Sequence, residues 1–457
     1  MKYEVKRITH GPKHHLFGFH DLVQSNAKGD LLLSLEVDDI SRPPIPGESC
    51  GNGAVSIADG EFHEIGRTHT WNYPMGSRQQ WIGDSDLYTC NDRADDGRLI
   101  SKICDARERK EVETLPFPIH ALNAQTRKAF YFDFNRIYSV GGYGYVHQPK
   151  TTRLIDLPKD DGLWVGDMQS GKSELIASIF DIASCDEKHP VKTGYPHYVT
   201  HLMLNPAGNR FLFLHRYRVA DGGEITRLMT VGADGSNMRC LAKGGESHFT
   251  WLDDETIFIW GEDGRRTSHL RELPIWRVPG ALAAFKVLKG VRRKILDRRY
   301  RSNPVSANRK SSSSFLLIKD ARGSGLRRTG VGVLTENGHP MACPSKMSWL
   351  INDTYPDECG DRILMFYDVV SEKRFDIGKF RMVSDRPDET KFDWRLTMAG
   401  VDPRIERDFN RGDYLFFRSG LHCDLHPRWS HDGRVAYFDS IHEGTRQIYS
   451  AEVIDED

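Results

Sequence analysis

The sequence predicts an all-β chain closed into a seven-bladed β-propeller with helical and loop insertions, and three observations predict it. Seven stretches repeat one pattern, a polar turn flanked by alternating apolar residues. Where nothing is inserted they recur at roughly 40 to 50 residues, the length of a four-stranded blade. A single sheet of that many strands would twist too far to stay open, so radial closure answers the problem of unpaired edges.

In chain order the stretches are His20 to Asp39, Trp71 to Asp92, Pro116 to Tyr138, His197 to Arg218, Gly244 to Gly261, Val331 to Asp357 and Cys423 to Ser440. The last contains Ser430-His431-Asp432-Gly433, in which Asp-Gly supplies the positive-φ turn of a hairpin, and Val435 and Tyr437 the pleated alternation. Asp234-Gly235 marks a second strand pair in the same way. Three long spacings read as insertions. About 141 to 196 opens on the Gly/Tyr-rich run Gly141 to Tyr145, which suits a loop over one mouth of the propeller. About 265 to 330 carries a helical pattern over 281 to 301, with Leu282, Phe285, Leu288, Val291 and Leu296 on one stripe among many Lys and Arg. Such a basic amphipathic helix is suited to anionic glycan, to nucleic acid or to peripheral membrane contact through lipid headgroups, or simply to packing on the propeller rim. Lys310 to Ser314 after it reads as a linker. The third insertion, about 371 to 417, has mixed charge and no readable motif.

The chain has 457 residues, with 63 basic against 64 acidic side chains. That balance argues against nucleic acid as the main partner. The start, Met1 to Arg7, has no apolar leader, and no run of about 18 apolar residues occurs, so a cytoplasmic location is expected. The eight cysteines form no Cys-x-x-Cys pair. Reduced, mostly buried thiols are the expectation.

Histidines recur at the starts of the repeats: His20, His120, His197 with His201, His248, His339, and His422 with His426. Equivalent positions of successive blades converge on the central channel, so residues hundreds of positions apart can line one cavity. For His20 and His120 a structural role, hydrogen-bonded to a neighbouring blade, is expected. His422, Asp424 and His426 sit at i, i+2 and i+4; in an extended strand that spacing places two imidazoles and a carboxylate on one face, a donor set for a metal ion.

Read in order, Thr226-Arg227-Leu228-Met229, then Glu246-Ser247-His248-Phe249-Thr250-Trp251, then Gly338-His339-Pro340-Met341 with Asn352-Asp353, then Asp424-Leu425-His426-Pro427-Arg428-Trp429-Ser430 resemble the motifs of the oligogalacturonate lyases. Those are cytoplasmic seven-bladed propeller enzymes that cleave uronate-containing oligosaccharides by β-elimination. The resemblance runs from about His197 to the C-terminus. It implies a catalytic arginine at Arg227, a catalytic histidine at His248, and a divalent metal, manganese in that family, whose first histidine ligand is His339. The family's closing motif, Gln-x-x-His-Pro-His-Pro, matches at His426 but meets Asp424 in place of its first histidine and Leu421 in place of its glutamine. Asp424 is a hard oxygen donor and His422 can fill the vacant place, which gives an expected metal set of His339, His422, Asp424 and His426. Arrangements of the same type also occur in uncharacterised propellers encoded beside glycosyltransferases, which Trp71-Asn72 and Gln79-Gln80-Trp81 resemble.

Abstracting the proton α to a uronate carboxylate places a second negative charge on that group, which a metal ion and a guanidinium would offset. His248 is the expected base, Arg227 the carboxylate ligand, and His201 joins them as a catalytic candidate. For Arg227 a strand arginine paired with an acidic neighbour is an equal reading. His197, Tyr198, Arg218, His215, Tyr143, Tyr145 and Trp71 are candidates for stacking on sugar and binding it. The expected partner is an anionic oligo- or polysaccharide. Two other functions compete. Pro427 to Gly433 with Ile448-Tyr449 also resembles the repeats of TolB-like propellers, so a non-catalytic glycan-binding scaffold is one. A glycoside hydrolase is the other, but it needs a carboxylate pair, such as Asp21 with Asp92, where the sequence crowds His and Arg.

Overall fold

Six of the seven repeating stretches contain the inner hairpin of a four-stranded antiparallel sheet, and seven such sheets form the ring. The first stretch, His20 to Asp39, holds only the second strand of its blade because the inner strand His14–Leu16 precedes it. The computed structural model describes residues 2–146, 154–185, 194–219, 223–262, 313–320, 326–383, 385–406 and 410–455. Six blades are built from consecutive strands, whereas the seventh takes its outermost strand, Lys2–Arg7, from the N-terminus. That strand pairs antiparallel with Gln447–Asp455, so main-chain hydrogen bonds between the two ends close the ring.

The turns form as their chemistry dictates. In the seventh blade Gly433 holds φ at 72°, which glycine adopts at no steric cost. The Ser430 hydroxyl there accepts from the Arg434 and Val435 amides at 3.1 and 3.0 Å. The apolar faces of the strands meet between blades rather than in one central core. Leu212, Leu214 and Leu228 of blade four, for example, pack on Trp251, Ile257 and Ile259 of blade five.

The expected insertions are shorter than their spacings, because each contains outer strands of a blade. Residues 141–196 include Gly162–Asp167 and Ser173–Ser178 of blade three, followed by the helix Ile179–Ser184 with its Ser178/Asp181 capping box. Residues 371–417 begin with the outer strand of blade six, Lys373–Arg381. In the second, Ser313–Lys319 and Arg327–Arg328 complete blade five. Ser313 and Ser314, expected in a linker, instead pair with Glu262 and Gly261. These outer strands are mixed in polarity and lie within long spacings, so their alternation was hidden inside the insertions. The basic pattern over 281–301 lies outside the described residues. No helix among the described residues is long and apolar enough to cross a membrane.

What remains of the first and third insertions forms a cap. The helix Phe134–Ser139 and the loop after it meet the helices Arg395–Met398, Pro403–Glu406 and Arg411–Arg418. Tyr138 donates to the Thr397 carbonyl at 2.8 Å, the Asp402 amide donates to Ser139 at 2.7 Å, and Arg418 donates to the Gly142 carbonyl. Arg404 ties the cap further, with Asp156 at 2.6 Å and the Leu154 carbonyl at 2.9 Å.

Candidate functional site

One residue stands beside the inner strand of each blade: Arg78, His120, His201, His248, His339 and His426 at or just before it, and His20 just after the inner strand His14–Leu16. The backbone there leaves the extended conformation. Arg78, His201, His248 and His426 hold φ at 56°, 56°, 33° and 42°, and the ladder shifts register at His201 and again at His248. A left-handed φ costs a non-glycine residue of order 1 kcal/mol, and such strain gathers where a side chain is re-aimed for function.

Five of the six histidines meet. The His248 and His339 ring centroids are 4.3 Å apart, His339 and His426 4.5 Å, and His20 lies 5.3 Å from His339 and 6.0 Å from His426. His201 stacks on Phe19 at 4.9 Å, and Phe19 in turn meets His426 edge-on. With Tyr143, Tyr355, Phe417, His422 and Asp424 they line a cavity of about 70 Å³ beneath the cap. His120 takes another course and packs on Phe132 and Phe134.

The electrostatics divide these histidines. Burial first, then the neighbouring imidazoles, presses His20 well below the usual histidine range. Burial does the same to His201, with Arg216 the next cause, and to His426, with His339 the next. His248 falls to about 3, by burial and then by His339. Burial would press His339 down too, but the Asp353 carboxylate, helped by Asp424, outweighs it and holds this imidazole above its ordinary value. Asp353 grips both the amide and Nδ1 of His339 at 2.8 Å, leaving Nε2 to face the cavity. Gly338 makes that approach possible, since a Cβ there would lie 1.9 Å from the Asp353 carbonyl oxygen. Gly338→Ala is therefore expected to cost about 1–3 kcal/mol by overpacking, read as a lowered midpoint in urea.

His339, Asp424 and His426 each present a ligand atom within 4.8 Å of the others. Both ring nitrogens of nearby His20 are buried without a hydrogen-bond partner among the described residues. Imidazoles with one carboxylate suit a first-row divalent ion, so the donor set fits a metal. His422 stands outside the trio, with Nε2 3.1 Å from Asp424 Oδ2. The opposite oxygen of Asp424 is 2.7 Å from the buried Arg362 guanidinium. Burial opposes ionisation of Asp424, but His422 and Arg362 prevail and hold its carboxyl well below the usual range.

Of the residues singled out in the sequence, the cavity gathers His201, His248, Tyr143, His339, His422, Asp424 and His426. Three expectations about this group need correction. His422, Asp424 and His426 do not share a strand: they precede the inner strand Arg428–Trp429 in irregular backbone, and the left-handed φ of His426 breaks the extended alternation. The carboxylate-bound His422 is not one of the converging trio. His20, expected to be structural, lines the cavity because the inner edges of blade one and blades five to seven converge on the axis of the closed ring.

Arg227 lies elsewhere. It pairs across the ladder with His215 while Arg216 pairs with Thr226, so the two arginines are on opposite faces of blade four. Arg227 is buried, donating to the Ile182 and Ala183 carbonyls at 3.1 and 3.2 Å, with His215 Nδ1 at 3.3 Å. His197 and His215 share its face, 3.1 Å from one another and stacked with Tyr217, so neither meets the cavity. Tyr198 donates to Glu224, which also faces Arg218 across the strands, and neither residue lines the cavity. Tyr145 is buried against Phe134 and bonded to Asn91, while Trp71 is buried with its indole N–H on the Glu48 carbonyl. Both belong to the core.

Arg216, on the opposite face of the strand, does not line the cavity but lies close enough for its charge to act on it. Its charge acts on His201, His248 and Tyr143, its Nε has no hydrogen-bond partner among the described residues, and Glu224 holds it at 3.6 Å. The alternation of the strand was the available signal, since Arg216 is one residue from His215 and opposite in direction. Tyr355, whose hydroxyl is 3.5 Å from His248 Nε2, had none. Asp21 and Asp92 do not form a catalytic pair: Arg78 binds the first at 2.8 Å and Lys102 the second at 2.9 Å.

The fold and site together define a seven-bladed propeller with an axial histidine-lined cavity under a cap. No known family matches the sequence, and no curated protein matches it. Among solved structures the chain is similar in fold to oligogalacturonate lyase from Vibrio parahaemolyticus, with a TM-score of 0.56 and 13% identity over 99% of this chain and 97% of that one. An oligogalacturonate lyase in complex with manganese aligns over 99% and 93% at 12% identity, with a TM-score of 0.40. A putative TolB from Agrobacterium tumefaciens aligns over 83% and 88% at 9%, with a TM-score of 0.34.

Proposed function

We propose that the protein is a lyase that cleaves a uronate-containing oligo- or polysaccharide by β-elimination. The observation that carries this reading is the meeting, in one capped cavity, of a neutral imidazole at His248 and the donor trio His339, Asp424 and His426, with the guanidinium of Arg216 just outside its lining. A uronate at its C5 demands a base, a cation on the carboxylate, and exclusion of water. An ion such as Mn²⁺, held by the trio with His20 beside it, would supply charge to offset that developing on the carboxylate.

The chain's own groups do the rest. Asn337 Oδ1, 3.1 Å from His248 Nδ1, accepts a hydrogen bond from that nitrogen and so leaves Nε2 with the lone pair that takes the C5 proton. Arg216 binds the substrate carboxylate through charge-assisted hydrogen bonds. Tyr355, kept protonated by burial and then by Asp424, stands beside His248 as a donor for the departing glycosidic oxygen. Among the described residues the cavity is lined by one carboxylate, Asp424, already engaged by Arg362 and His422, which disfavours two-carboxylate hydrolysis.

The direct test is to incubate the protein with galacturonate- and glucuronate-containing oligosaccharides and follow ultraviolet absorbance of an unsaturated product. Absence of product from every uronate glycan, with tight binding retained, would replace the lyase by a glycan-binding scaffold. The metal is tested separately. Asp353→Asn removes the charge that orients His339 and is expected to weaken Mn²⁺ uptake about 10- to 100-fold, measured by calorimetric titration.

A further inference from the structure

The proposed metal site carries a built-in cation. Arg362 is 1% exposed in its side chain and places Nη2 2.7 Å from Asp424 Oδ1, on the side away from His422. Its Nη1 donates to the Thr354 carbonyl at 3.3 Å, which fixes it behind the carboxylate. Asp353 and Asp424 together would balance a divalent ion, but Arg362 cancels one of those two negative charges. The surroundings do not restore it. Arg216 is matched by Glu224, and behind His426 the pair Arg428 and Arg446 share the single carboxylate of Asp439.

We propose that Arg362 acts as a positioning residue that keeps the loaded site one negative charge short, so that a divalent ion and the carboxylate of a uronate bind cooperatively. The inference rests on the metal assignment above. In physical terms, the guanidinium draws charge from Asp424 and repels an ion a few ångströms away in a poorly screened interior. An incoming carboxylate supplies the negative charge that Arg362 withholds, and by linkage each ligand must then tighten the other by the same factor. A free protein of this kind holds its ion loosely and retains a strong electrophile once substrate arrives.

The test titrates the full chain with MnCl2 by calorimetry, with and without saturating D-galacturonate or D-glucuronate, and with N-acetylglucosamine as a neutral control. Wild type is expected to bind Mn²⁺ at least fivefold tighter with one of the hexuronates and unchanged with the neutral sugar. Arg362→Met is expected to bind Mn²⁺ alone at least tenfold tighter than wild type and to lose most of the coupling, whereas Arg362→Lys, which keeps the charge, stays within threefold of wild type. A folded Arg362→Met that binds no tighter than wild type overturns the proposal. So does wild-type affinity indifferent to both hexuronates, an arm that holds even if the Met variant does not fold. Failure of the metal reading looks different: neither wild type nor any variant then takes up Mn²⁺, Fe²⁺ or Zn²⁺.

Discussion

His248→Ala is expected to lower the rate of unsaturated-product formation by about 10²- to 10⁴-fold, the usual worth of a positioned general base, while leaving binding of the glycan within a few fold. The cause is specific. His248 is held neutral by burial and by His339, and Asn337 fixes its tautomer, so no other group in the cavity offers an imidazole lone pair at the same point. His201, the other catalytic candidate, stacks on Phe19 and bonds Thr200 through Nδ1. A variant that retains more than a tenth of the wild-type rate would remove His248 from the role of base.

Arg216→Ala is the second large effect. Loss of a guanidinium aimed at developing charge in a water-excluded site is expected to reduce kcat/KM by about 10²- to 10³-fold, whereas Arg227→Ala, on the far face of the same sheet, acts through stability instead. The contrast is the measurement: a lowered thermal midpoint with near-normal kcat for Arg227→Ala, and the reverse for Arg216→Ala. Arg227 is fully buried, so its removal orphans the Ile182 and Ala183 carbonyls at about 1–3 kcal/mol each. If the two variants exchanged phenotypes, the assignment of the site arginine would be wrong.

Much of this was legible in the chain. The propeller announces itself because a blade is a local unit: an inner hairpin needs a turn at one end and alternation on both sides, and six of the seven stretches carry both. The histidines at blade starts were legible for the same reason, as were Asp424 and His426 as donors. The outer strands of blades three, five and six were not, because long spacings and mixed polarity hid them.

Arg216 against Arg227, and His20 as a cavity residue, required the tertiary structure. Side chains one position apart on a strand face opposite ways, so a one-residue misassignment moves a group from the channel edge to the interface with the neighbouring blade. Here that displacement separates the arginine proposed for the site from a structural one. His20 faces His339 across more than three hundred residues of chain, and only the closing strand Lys2–Arg7 brings the first blade beside the last. Seven blades and a supply of imidazoles at their inner edges follow from residue order alone, because those depend on near neighbours. Ring closure, strand facing and the left-handed turns at His201, His248 and His426 decided which imidazoles share a cavity and that Arg362 stands behind Asp424, because those contacts exist only between blades.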